Sequence, residues 1–62
     1  MEIRFINIEN GGRILTTISH HIPSVNDIIY ISNRKCKVSS SEVHYNSYLG
    51  NDFAEIIVRE ID

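Results

Sequence analysis

The sequence predicts an all-β domain, a small five-stranded antiparallel barrel or rolled sheet of the SH3-like kind, with residues 1–62 forming one unit. Two observations carry that expectation. Five short runs are rich in Ile, Val, Phe, Tyr and Thr, the residue types that fit a pleated, half-buried surface. Clusters of Asn, Gly, Ser, Asp and Pro separate them at intervals that suit short strands joined by turns. A barrel also removes the exposed edges that an open sheet leaves. An OB-like barrel fits less well, because the chain is short.

The first run, residues 2–8, places Ile3 and Phe5 on one face and Ile6 and Ile8 on the other. Side chains alternate along a strand, so the apolar face switches near Phe5 and Ile6, which requires a bulge or cover on both faces. Asn10-Gly11-Gly12 follows and marks a hairpin, since glycine takes positive φ without a Cβ clash. Residues 13–19 form the second strand, antiparallel to the first, with Ile14, Thr16 and Ile18 on one face.

Residues 20–27 connect to the third strand. Pro23 has no amide proton to give a central ladder and biases Ile22 towards extended geometry. Ile22 and Val25 are expected to fold inward over one end of the core, and the Asp27 side chain to cap the turn. Residues 28–31 form the third strand. The tight turn at 32–35 has Arg34 where glycine is preferred, which predicts a strained or longer loop. Residues 36–45 begin by alternating at Cys36 and Val38 and shift phase to Val43 and Tyr45, so a bulge is expected at 39–41. A helical turn within 40–49 competes, because Ser39 and Glu42 have capping-box spacing and Gly50 can end a helix. The intervening residues are mediocre helix formers, which favours the strand. Residues 53–61 form the last strand. The expected core comprises Phe5, Ile14, Ile18, Ile31, Val38, Ile57 and one or two tyrosines.

Ile22, Pro23, Val25, Asp27, Ile29, Ile31, Asn33 and Val38, followed by Val43, His44 and the run at 55–61, carry a resemblance. The pattern resembles short bacterial and phage small β-barrel proteins, in which an Ile/Val-Pro pair precedes Gly-Asp and two alternating strands. This chain has Asn26 and Arg34 at the two glycine positions and Cys36 where an aromatic is common. The resemblance implies the barrel and implies no catalytic residue or ligand.

Composition narrows function more than it defines it. A chain of 62 residues buries only about 60% of its unfolded surface, so its core is small. Cys36 is the single cysteine, which excludes an internal disulfide and fits a reducing compartment. With no signal-peptide pattern and no apolar run of about 20 residues, a cytoplasmic location and no membrane are expected. A net charge of −2 runs against general nucleic-acid affinity, which rests on basic surface.

Each candidate chemistry has a plainer reading. His20, His21 and His44 show no zinc spacing with Cys36, and adjacent strand residues point to opposite faces, so solvated histidines are expected. Cys36 and His44 are separated by roughly 26 Å along a straight strand, too far for a nucleophile and its base. The carboxylates form no recognisable pair, and no phosphate-cradling glycine loop is present. No enzyme activity, metal or cofactor is expected.

The apolar surplus points to assembly instead. Isoleucine or valine lies on both faces of the first, third and fifth strands, more than one small interior hides. Ile6, Ile28, Tyr30, Ile56 and Val58 are therefore the expected self-association residues, with a two-fold dimer as the simplest outcome. The expected function is a homo-oligomeric protein-binding module, one version being a phage- or plasmid-encoded protein that blocks a host protein. The alternative is a nucleic-acid-binding barrel using Arg34, Lys35, Lys37, Tyr45 and Tyr48, with Tyr30 and Phe53 as further stacking rings, provided the aromatics and cations share a face.

Overall fold

The computed structural model describes residues 1–46 and 50–61. Its strands are β1 (Glu2–Asn7), β2 (Arg13–Ile18), β3 (Ile28–Ile31), β4 (Arg34–His44) and β5 (Phe53–Glu60). They form one curled sheet in the order β2-β1-β5-β4-β3, a half-barrel. The all-β expectation holds. The all-antiparallel one does not, because β1 and β5 run parallel, from Glu2↔Phe53 to Asn7↔Val58. Closure is also incomplete. β2 pairs with β1 and β3 with β4, so each occupies an edge.

The concave face holds the core: Ile3 and Phe5 from β1, Ala54, Ile56 and Val58 from β5, Cys36 and Val38 from β4, and Ile31 from β3. Met1, Ile22, Ile29 and Val43 pack against it, partly buried. β5 is the central strand, which is why its Ala54/Ile56/Val58 row has no exposure at all. This corrects the assignment of Ile56 and Val58 to a self-association surface. Ile57, expected in the core, lies half-buried on the convex face instead. Ile14 and Ile18 are corrected too: they sit on edge strand β2, 43% and 77% exposed, with no neighbouring strand beyond them among the described residues. Tyr30 and Tyr45 add nothing to the core. Pro23 is buried in the connector, while Val25 turns out to solvent.

Both anticipated phase shifts occur. The β1–β2 register slips between Phe5 and Ile6, where Leu15 and Arg13 are the successive partners and Ile14 is the extra residue. The β4–β5 register slips between Val38 and Ser40, leaving Ser39 without a partner on β5. This slip lets Cys36 and Val38 face the core before the bulge and Val43 after it.

The turns follow their side chains. Gly11 has φ +69, and its amide donates to the Asn7 carbonyl at 2.8 Å. Asp27 accepts the Ser24 amide on Oδ2 at 2.9 Å, the cap expected of it. At the β3–β4 turn, Ser32 and Asn33 have φ 51 and 67, and Arg34 already pairs with Ile31. The loop is thus two residues with both in the left-handed region, the type I′ pattern. Arg34 occupies no position that needs glycine, so the longer loop is unnecessary. β4 runs to His44 as a strand. Residues 47–49, including Tyr48, lie outside the described residues, and no helix forms among those described. None is available to cross a membrane.

Candidate functional site

Two features of the half-barrel remain after its core is assigned: the open edge at β2 and the charged convex face.

At the β2 edge, the Ser19 amide donates to the Met1 carbonyl at 3.1 Å and the Met1 amine donates to the Ser19 carbonyl at 3.2 Å. Hydrogen-bonded and non-hydrogen-bonded pairs alternate in an antiparallel ladder. The inward-bonded residues of β2 are therefore Thr17, opposite Ile3, and Leu15, opposite Phe5. The backbone groups of Thr16 and Ile18 point away from the sheet. Their side chains share the convex face with Ile14. Natural edges are usually blunted by short length, proline or charge. β3 follows that rule with only four residues. β2 has a bulge and Arg13 at its start, but from Ile14 to Ile18 it carries neither proline nor charge.

The convex face sorts its charge by position. At one end, Phe53 lies between β1 and β4, with the Arg4 guanidinium over its ring and His44 stacked on it at 4.6 Å and 7°. Arg4 also pairs with Glu2. Glu42, His44 and Glu55 gather here with potential ligand atoms within 4.8 Å of one another. The His44 Nε2 lies 3.7 Å from a Glu42 oxygen, and exposed acidic groups of this sort commonly carry no ion.

At the other end the face is basic. Lys37 pairs across the ladder with Arg59 on one side and Ile28 on the other. Lys35 stands opposite Tyr30, which is 70% exposed. Tyr30, Lys35, Lys37 and Arg59 thus share one face.

The sequence-predicted residues divide accordingly. Ile6 is half-buried on β1, separated from Ile28 and Tyr30 by β5 and β4. The proposed self-association residues therefore do not form one patch. Lys35 and Lys37 are together. Arg34 alternates to the other face and reaches Glu60 at 3.4 Å. Tyr45 lies beyond the far end of β4, away from the lysines, and Tyr48 lies outside the described residues. Sequence reasoning groups Tyr30 with the lysines but misses Arg59 as their basic neighbour. Arg59 meets Lys37 through the β4–β5 register, and Tyr30 meets Lys35 through the β3–β4 register that the Ser32–Asn33 turn sets.

Cys36 is buried, and its Sγ donates to the Arg34 carbonyl at 3.6 Å. Desolvation, and secondarily the Glu60 charge, push the thiol pKa above its usual value, partly offset by Arg34. His44 occupies the opposite face, so the two form no catalytic pair. Comparison of the chain with protein families, curated proteins and solved structures gives no match.

Proposed function

We propose that the chain is a non-enzymatic protein-binding module that assembles with a second copy of itself through β2. The open edge carries this reading. Two β2 strands related by a two-fold axis pair antiparallel, and a register centred on Thr16 sets Ile14 opposite Ile18 of the partner subunit, twice. The two-fold axis at Thr16 makes each of these contacts occur twice, as in any isologous pairing. Outward amides and carbonyls then gain partners, and isoleucines now in water gain cover worth roughly 1.5–3 kcal/mol each when fully buried. That gain works against the entropy cost of association.

Light scattering at micromolar concentration tests it. The expected mass is twice 7.1 kDa. Thr16→Pro removes an outward amide, and Ile18→Lys places like charge in the seam. Each should give a folded monomer. A wild-type chain that stays monomeric and well folded would overturn the self-pairing and leave the edge available for strand addition by another protein.

A second reading, single-stranded nucleic-acid binding, is favoured by the shared face of Tyr30, Lys35, Lys37 and Arg59. Stacking and phosphate contacts are both available there. Binding at low salt that weakens on Tyr30→Ala would support it.

A further inference from the structure

The β4 bulge opens a shallow depression of about 280 Å³ lined by Asn26, Lys37, Val38, Ser39 and Arg59. Its composition is one-sided. Two cations, an amide and a hydroxyl surround it, and no carboxylate does among the described residues. Lys37 and Arg59 are direct cross-strand partners, an arrangement that costs stability when both charges are alike. Neither joins an ion pair among the described residues. The acids nearby are engaged elsewhere, Glu60 with Arg34 and Asp27 with the Ser24 amide.

The backbone completes the surround. Ser39 is the residue the bulge leaves unpaired on β5. Asn26 is held over β4 by its amide donating to the Val38 carbonyl at 2.9 Å, and the Val38 amide donates to the Asp27 carbonyl at 2.9 Å. Asn26 keeps φ 75 there, a conformation uncommon for a residue with a side chain. The turn is thereby fixed with its amide side chain at the rim.

We propose that this depression is an oxyanion seat that takes a phosphate group, with Lys37 and Arg59 supplying charge and Ser39 and Asn26 supplying hydrogen bonds. An anion between the two cations turns their repulsion into attraction, and charge-assisted hydrogen bonds are about twice as strong as neutral ones. The seat is independent of β2 pairing. It rests on the second reading above only where the phosphate belongs to a nucleic-acid backbone.

Two probes separate the sources. Inorganic phosphate, titrated into isotopically labelled protein at ionic strength matched with chloride, should shift the Asn26, Lys37 and Ser39 amide resonances saturably. A ten-nucleotide single-stranded oligothymidine should bind through the same residues if the phosphate is a diester. Lys37→Ala and Arg59→Ala should each weaken binding about five-fold or more, since each removes a charged hydrogen-bond donor from the seat. Lys37→Glu should abolish binding while keeping the fold, because it pairs with Arg59.

Phosphate binding without oligonucleotide binding supports the seat and ends the nucleic-acid reading. Oligonucleotide binding indifferent to Lys37 and Arg59 overturns the seat and spares that reading. Equal shifts with chloride, or no saturable shift with either probe, overturn the seat outright.

Discussion

The guanidinium carbon of Arg4 lies 3.7 Å from the centroid of the Phe53 ring, joining the parallel strands β1 and β5 on the convex face. A cation over an aromatic face contributes about 0.5–1 kcal/mol at an exposed site. A double-mutant cycle with Arg4→Met and Phe53→Leu should give a coupling of that order, measured by urea unfolding. Strict additivity would show that the contact contributes nothing beyond packing.

Ile56 and Ile57 are neighbours with different burdens. Ile56 is fully buried between β1 and β4, while Ile57 is half-buried on the convex face. Ile56→Ala should cost about 2–5 kcal/mol, enough to unfold a chain this small. Ile57→Ala should cost about 1 kcal/mol, in proportion to its partial burial. Thermal melts of the two variants test the assignment, and a reversed order would place the core on the other face.

The Ser32–Asn33 turn holds two non-glycine residues at positive φ, which costs roughly 1–2 kcal/mol for an ordinary L-residue and less for Asn. Type I′ turns favour Asn-Gly. The double substitution Ser32→Asn, Asn33→Gly should therefore raise stability by about 0.5–1 kcal/mol. A melting temperature that stays the same or falls would contradict the turn geometry.

The Cys36 thiol pKa is raised by burial and by Glu60. In the unfolded chain it ionises nearer its usual value of 9.0, so above that pH the folded state binds more protons than the unfolded one. Stability from this group is fully present at lower pH and declines as pH rises through 9 towards the folded value. Cys36→Ser should remove that decline, read from denaturation midpoints at pH 7 and pH 10. Alkylation of the native thiol at pH 8 should be slow until denaturant is added.

The sequence made the strands and their breaks legible because each is a local matter. Asn10-Gly11-Gly12 marks a turn by its own chemistry, and the phase shift from Val38 to Val43 requires an extra residue wherever the strand pairs. The faces were less legible. In β5 both Ile56 and Ile57 are apolar, and only the pairing of Ile56 with the inward-facing Phe5 of β1 decides that Ile56 faces inward. Ile14 and Ile18 alternate as core residues do, yet they lie on an edge, and edge position is a property of sheet order. The basic group was half visible. Lys35 and Lys37 stand together in the chain, whereas Arg59 reaches them only through the β4–β5 register. Tyr45 was misplaced because a long strand carries it to the opposite end.

The parallel ladder between β1 and β5 also governs how the chain reaches this fold. Glu2 meets Phe53, two residues separated by most of the sequence, whereas the β1–β2, β3–β4 and β4–β5 ladders each join strands that are consecutive in the chain. Loop-closure entropy favours those local ladders and delays the distant one. Two preformed pieces, the β1–β2 hairpin and the β3–β4–β5 meander, then dock as Ile3 and Phe5 meet Ala54 and Ile56. That docking closes the core and is the step expected to limit the folding rate. By the same reasoning, this seam is where the two pieces are expected to separate first under stress.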